Sequence, residues 1–380
     1  MRNIAFISGY RLDLGGVETY LTSFPRIADP EKYRWYMITP ASEDFIGRFR
    51  SLGGFSYEWQ PGFPLDIPAG MTIHRLLQEY QFDLVHVQDL RAAMTASLPA
   101  KLHRVPVIRT VHMPEYGLTG EGRRSRTRQR YYKILERTLS RTLIDWTIYV
   151  SRSVHAQARA QGIIPATRSG VIPNGIDLTT FTRDNLSREK LRSRHRVQDR
   201  EMLVTFTGRL ERQKGLDVLL QAVAQTPAHD ALVVWVIGDG PELQALRELS
   251  ARLNIDQIVR FIPWSSDIPS LLASSDLYIL PSRYEGMPFG LLEAMASGLP
   301  CIVTDVGDCG ELVSESGCGF VVPPEDVDQL ASALERALAN PESLAEMGAA
   351  GRAWSRQYTE ELMVNRTLAI YQEALRLQES

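Results

Sequence analysis

Short, almost continuously apolar runs recur along this chain with segments of helical period between them. This alternation limits the fold more than any other feature. A strand that is apolar at every position must be buried on both faces, and a parallel sheet covered by helices on each side achieves that. Residues 4–8, 83–87, 106–111 and 146–150 read as strands of one such sheet, and residues 202–206, 232–237, 259–262, 277–280 and 301–304 as strands of a second. The intervals leave room for crossover helices; the clearest places Leu216, Leu219, Leu220 and Val223 on one face at i, i+3, i+4 and i+7. The 380 residues suit two or three globular units. The pattern predicts an α/β chain of two doubly wound parallel sheets in series.

Pro173, Asn174 and Gly175 interrupt regular structure after an apolar strand, which puts the boundary there: an N-terminal domain over 1–172 and a C-terminal domain over 173–357. The Arg-rich run 186–200 reads as a solvated helix and loop without chemistry. A last helix near 359–377 carries Val364, Leu368, Tyr371 and Leu375 at helical spacing and must pack on something.

Composition excludes several classes. A net charge of −3 is too balanced for a chain held on nucleic acid by bulk charge, although residues 1–178 carry net +7 and the remainder net −10. Cys301, Cys309 and Cys318 are too few and too oddly spaced for a disulfide framework or a CxxC zinc pair, which favours a reducing compartment. Residues 1–9 are too short for a signal h-region, and no stretch reaches the about 18 apolar residues of a membrane span. A cytoplasmic protein, at most attached to a membrane surface, is expected.

In doubly wound sheets ligands bind at the carboxyl ends of strands, so the loops after strands carry the argument. Gly15-Gly16 precedes a helix, where backbone N–H groups and the helix dipole favour a phosphate; a tight turn needing positive φ explains the glycines equally well. Gly208-Arg209 directly follows a strand, and Lys214 opens the next helix. Two cations can converge there on one anion such as a diphosphate, with charge-assisted bonds of about 1.5 to 3 kcal/mol each. Two surface cations are the bland alternative. Gly238-Asp239-Gly240 is not a dinucleotide fingerprint, because Leu243 replaces the third glycine; it reads as a sharp turn.

Residues 281–300 are the most specific stretch. They place Glu285 in a loop after a strand and Glu293 eight positions on, in the first turn of the next helix, with Gly298 as its C-cap. Open N–H groups from Phe289 through Gly290 and Leu291 to Leu292 would form an anion site. Glu285 would accept from sugar hydroxyls, and Glu293 from a vicinal pair such as a ribose offers. Structurally, Glu293 could instead be a partner of the helix dipole.

The glycine loop at residues 15–19, Pro173-Asn174-Gly175-Ile176-Asp177, Gly208-Arg209 with Lys214-Gly215, Gly238-Asp239-Gly240-Pro241, and Glu285 with Glu293 occur in this order. Over nearly its whole length the chain resembles retaining glycosyltransferases of the GT-B fold, family 4. The resemblance implies two Rossmann-like domains facing a central cleft, with a C-terminal helix over 358–380 crossing back onto the N-terminal, acceptor-binding domain. It also implies transfer of a sugar from a UDP- or GDP-sugar to a hydroxyl acceptor with an α-linked product and no metal or other cofactor. Asp326-Val327-Asp328, the single Asp-x-Asp, follows two prolines as a helix cap and agrees with that. Arg209 and Lys214 would neutralise the departing diphosphate. By similarity Glu293 holds the donor ribose, Glu285 and His112 face the transferred sugar, and Gly16 lies beside the diphosphate. Gly208, Gly286, Met287, Phe289, Gly290 and Leu291 complete the donor-binding set. Two departures touch the family pattern: Ile262-Pro263-Trp264 near the base, and Gly307-Asp308-Cys309-Gly310-Glu311 in place of a glycine pair.

A predicted helix over 123–141 aligns Arg123, Arg126, Arg130, Lys133, Arg137 and Arg141 beside Tyr131, Ile134 and Leu135. It could dock on anionic lipid at the inner face of the cell membrane, where family members often find lipid-linked acceptors, or be a solvated face or a groove for an anionic soluble acceptor. A role in bacterial surface polysaccharide synthesis is expected from the family; a small-molecule acceptor is the alternative. A sugar-nucleotide epimerase of GT-B-like architecture is the rival reading, and a two-domain binding protein another.

Overall fold

A computed structural model describes residues 1–380 except 14, 63–65, 114–122, 166, 183–184, 228–230, 266 and 380, and except the side chains of 123–126, 185–187 and 379. The chain divides into two compact units, Met1–Asn174 with Glu360–Ser380, and Gly175–Thr359.

Among the described residues the first unit has seven strands: β1 (Arg2–Ile7), β2 (Tyr33–Thr39), β3 (Phe55–Glu58), β4 (Leu84–Val87), β5 (Val107–Val111), β6 (Trp146–Tyr149) and β7 (Ser169–Val171). They run in the order β3-β2-β1-β4-β5-β6-β7, every pair parallel. The described residues of the second unit form six: β8 (Met202–Thr207), β9 (Leu232–Ile237), β10 (Val259–Ile262), β11 (Leu277–Leu280), β12 (Cys301–Thr304) and β13 (Gly319–Val322), in the order β10-β9-β8-β11-β12-β13 and again all parallel. Both are doubly wound sheets. The order reverses between β1 and β4 in one and between β8 and β11 in the other. Crevices for ligands open outside the carboxyl ends of strands at such switch points.

The central strands were legible as apolar runs because helices bury both their faces: β4, β9, β11 and β12 are buried at every position. Strands β2, β3 and β13 were missed. The first mixes aromatics with the exposed Arg34, and the other two sit at sheet edges, where burial alternates or fails. Helix starts are fixed by side-chain caps from Asp66, Asp89, Ser151 and Asn340, and Asp326 caps the helix Val327–Ala339 by accepting from the Gln329 amide at 3.0 Å.

The Arg-rich run corrects one expectation. Helix Asn185–Arg194 is not merely solvated: Arg188 and Arg192 both grip Asp276, at 2.5 and 2.9 Å, and Arg192 also donates to the carbonyls of Gln198 and Glu201. Asp276 accepts from the Leu203 amide as well, so this cluster ties the starts of β8 and β11 together, at the end of the sheet opposite the loops of interest.

The last helix, Glu360–Glu379, packs in the first unit. Buried Glu360 accepts from Ser23 Oγ at 3.0 Å and pairs with Arg26, and Tyr371 meets the buried His86 ring.

Candidate active site

Four strand-end loops of the second unit meet at the β8/β11 switch point. After β8 the chain runs through Gly208 and Arg209 into a 3-10 turn, Arg212–Lys214, and then helix Leu216–Gln225. After β11 it runs through Ser282 to Glu285 and on to helix Phe289–Ala296. The two loops lie in contact: Gly215 has φ +62, and a Cβ there would stand 2.0 Å from the Pro281 carbonyl oxygen. Gly238, after β9, abuts Gly208 in the same way, with only 1.9 Å between an added Cβ and the Gly208 oxygen. The Gly238–Gly240 turn thus serves close approach to a neighbouring loop.

Lys214 and Glu285 form the centre. Lys214 Nζ donates to Glu285 Oε1 at 2.6 Å, the two side chains being 17% and 4% exposed. Ser282 Oγ donates to the same oxygen at 2.8 Å, and Gln213 Nε2 reaches Oε2 at 3.4 Å. An ammonium group is therefore held at the mouth of a loop beside a fully partnered carboxylate. Arg209 behaves differently. Its side chain is 65% exposed and pairs with Glu211 at 2.7 Å.

Glu293 lies in the second turn of Phe289–Ala296, not the first, so it is not the dipole partner that the sequence allowed. Its half-buried carboxyl has no hydrogen-bond or ion-pair partner among the described residues, and burial pushes its pKa up to about 7. Pro288 leaves that helix without a side-chain cap, so the amides of Phe289, Gly290 and Leu291 open its start; Leu292 N–H is already turned to the Pro288 carbonyl at 3.4 Å. Gly290 is needed for space, because an added Cβ would stand 2.4 Å from Tyr278 Oη. Gly286 accepts from the Asp308 amide at 3.0 Å, which brings the loop after β12 to the same edge, and Met287 is buried beneath it. Trp264 is 39% exposed, with its amide on Asp239.

Gly16 and His112 belong to the first unit. Gly16 begins helix Gly16–Ile27, and its N-cap Gly15 is extended, with φ −175, so no positive φ explains the glycine pair. His112 follows β5; its Nε2 sits 3.1 Å from Gln88 Oε1, and its ring meets Tyr20 edge-on at 5.0 Å. Burial lowers its pKa to about 4, so the ring is neutral at neutral pH, and donating to the amide oxygen leaves Nδ1 as an acceptor.

The residues that sequence reasoning passed over are Gln213, Asp217, Ser282 and Arg283. All four lie in or beside the two quoted loops, and only contact between the loops shows what they do.

Comparison with known proteins matches both halves of the chain to glycosyltransferase families. Residues 14–180 match the family described as Glycosyltransferase Family 4, and residues 187–354 match Glycosyl transferases group 1. The chain belongs to glycosyltransferase family 4. This glycosyltransferase is 28% identical over 277 residues to the UDP-Gal:alpha-D-GlcNAc-diphosphoundecaprenol alpha-1,3-galactosyltransferase of Escherichia coli, covering 71% of this chain and 70% of that protein. It is also 28% identical over 377 residues to the GDP-mannose-dependent monoacylated alpha-(1-6)-phosphatidylinositol monomannoside mannosyltransferase of Corynebacterium glutamicum, covering 93% and 94%. Anabaena HepE in complex with UDP shares the fold, with a TM-score of 0.82 at 20% identity over 98% of this chain and 100% of that one. The enzyme is a GT-B glycosyltransferase that draws on a nucleotide sugar.

Proposed function

We propose that the enzyme moves a hexosyl group from a UDP- or GDP-sugar to a hydroxyl acceptor with retention at the anomeric carbon. The reading rests above all on the Lys214–Glu285 pair, a desolvated cation and carboxylate at the carboxyl ends of switch-point strands. Lys214 takes up the charge that develops on the diphosphate as the anomeric C–O bond breaks, assisted by Arg209 once it leaves Glu211 and by the amides of Phe289, Gly290 and Leu291. Glu285 then accepts from hydroxyls of the transferred sugar. Glu293, an unpartnered acceptor, takes the two ribose hydroxyls. The acceptor oxygen bonds to the anomeric carbon on the face the diphosphate leaves, and its proton goes to a phosphate oxygen. In this reading protein cations do the work of a divalent ion. Gly16 and His112 keep the roles that the resemblance gives them.

The proposed acceptor is lipid-linked, in assembly of a bacterial surface glycan. The named relatives act on a diphosphoundecaprenol and a phosphatidylinositol mannoside. Helix Arg123–Thr142 exposes Tyr131 at 47% and Ile134 at 57%, flanked by exposed Arg130, Arg137 and Arg141, a face suited to anionic lipid. None of the described helices is long and apolar enough to cross a membrane.

Incubation of donor with and without candidate acceptors tests the reaction. An α-linked product formed equally well in EDTA supports it; an epimerised donor sinks it. Lys214→Ala is expected to lose at least ~100-fold in kcat with the fold intact by circular dichroism, and unchanged turnover would falsify the phosphate assignment.

A further inference from the structure

We infer that Arg283, acting with Asp217, is the positioning residue of the donor site: it fixes the spacing between Lys214 and Glu285 without touching substrate. The inference rests on the roles proposed for that pair. From the loop after β11, the Arg283 side chain reaches back along the 3-10 turn that carries Lys214 and holds it on both sides. Nη1 donates to the Arg212 carbonyl at 2.6 Å and to Asp217 Oδ1 at 2.8 Å, and Nη2 donates to Asp217 Oδ2 at 2.8 Å. Lys214 lies between those two anchors. The backbones are joined as well, since Arg283 N–H donates to the Gln213 carbonyl at 2.7 Å and Gln213 Nε2 to the Tyr284 carbonyl at 2.9 Å.

A third strand-end loop closes the arrangement. Arg283 Nε donates to Glu325 Oε1 at 2.7 Å, from the loop after β13. Glu325 holds φ +61, a left-handed conformation that costs a non-glycine residue free energy and persists where the surroundings impose it. One guanidinium thus links the ends of β8, β11 and β13, and its side chain is only 15% exposed. Burial alone would raise the Asp217 carboxyl, yet its bond to Arg283 holds it below the usual range, so the pair stays ionised at neutral pH. The planar fork is what the geometry uses: two parallel bonds to one carboxylate, and a carbonyl at the side. A lysine ammonium offers no such fixed set.

The arrangement matters because Lys214 and Glu285 serve different parts of the donor. Relative drift of about 1 Å between the groups that hold diphosphate and sugar costs on the order of 100-fold in rate, while leaving each free to bind its own part. Arg283 should therefore act on kcat more than on KM, and only through Lys214 and Glu285.

A mutant cycle tests this. Donor kcat and KM are measured for wild type, Arg283→Met, Arg283→Lys, Asp217→Asn, Lys214→Ala and the double variant Arg283→Met/Lys214→Ala, each normalised to folded enzyme from its thermal transition. Expected are a loss in kcat of roughly 30- to 100-fold for Arg283→Met with KM changed less than about threefold, partial retention in Arg283→Lys, and no further loss when Arg283→Met is added to Lys214→Ala. A purely structural arginine would lower the transition temperature and multiply its penalty onto Lys214→Ala. That result, or full kcat in Arg283→Met while Lys214→Ala is inactive, overturns the inference and leaves the proposed function standing. Full activity in Lys214→Ala would instead remove the reading on which the inference rests.

Discussion

Glu293 is a side chain that is costly in the free enzyme and, on the proposed reading, useful in the complex. Desolvation raises its pKa from 4.5 to about 7, and among the described residues no donor offsets this. The unfolded chain ionises near 4.5 while the folded one holds its proton to about 7. Stability is therefore lost as pH rises through that window, at up to about 1.4 kcal/mol per pKa unit, and stays lower above it. Glu293→Gln should flatten this slope; parallel melting-temperature curves for the two proteins between pH 4.5 and 7.5 would show the assignment to be wrong. On the proposed reading a ribose supplies the missing donors to the ionised form, so nucleotide affinity of the wild type should strengthen as pH rises through 7, with proton release measurable by calorimetry in buffers of different ionisation enthalpy. Arg209 is the opposite case. The sequence placed it correctly after a buried strand, but an exposed guanidinium beside Glu211 is held loosely, in the range where surface pairs contribute about 0 to 1 kcal/mol.

At the scale of elements, helix Asn185–Arg194 corrects the view that an arginine-rich run is a solvated one. Arg192 is buried because it satisfies Asp276 and the carbonyls of Gln198 and Glu201, groups that no nearby sequence signal connects to it. Arg192→Ala should destabilise the second unit by about 2 to 3 kcal/mol, since partners would be left unsatisfied. Its kcat per folded enzyme should not change, because the cluster lies at the amino ends of β8 and β11; urea unfolding beside steady-state kinetics separates the two effects. Helix Arg123–Thr142 makes a different prediction. One of its sides is anchored by the fully buried Arg109–Glu136 pair at 2.7 Å, which leaves Arg130, Tyr131, Ile134 and Arg137 outward. Co-sedimentation with vesicles containing phosphatidylglycerol should fall by about tenfold or more in Arg130→Glu/Arg137→Glu, and equal recovery with neutral vesicles would count against a lipid-facing helix.

Across the whole molecule, the chain leaves the first unit at Asn174 and returns to it at Glu360, so a unit split in sequence is completed by its last helix. The helix is fastened by buried polar groups. Tyr371 Oη meets His86 Nδ1, and His86 Nε2 meets Thr110 Oγ1 at 2.7 Å. Burial, with His112 nearby, lowers the His86 pKa to about 3, and burial lowers that of His112 to about 4. Both fold as neutral rings, whereas unfolded histidine titrates near 6.5. Their contribution is complete above pH 6.5 and is lost as pH falls towards 4 and 3. Amide exchange in helix Glu360–Glu379, once corrected for the intrinsic rate at each pH, should lose protection between pH 6.5 and 4.5, before helix Leu216–Gln225 does. Simultaneous loss in both would contradict this.

The alternation of apolar runs with helical periods settled the class of fold from sequence alone, because strands buried on both faces have to read that way. Ordered motifs likewise located the loops after β8 and β11, since glycine and charge at a strand's end are local requirements. Edge strands such as β3, the anchoring of Arg192, and the grip of Arg283 on Asp217 and Glu325 were decided only in three dimensions. The bonds from Arg283 to Asp217 and Glu325 and from Arg192 to Asp276 join partners 42 to 84 residues apart, the edge strand is one that burial does not mark, and the pairing of distant polar groups leaves no period in the chain for a reader to count.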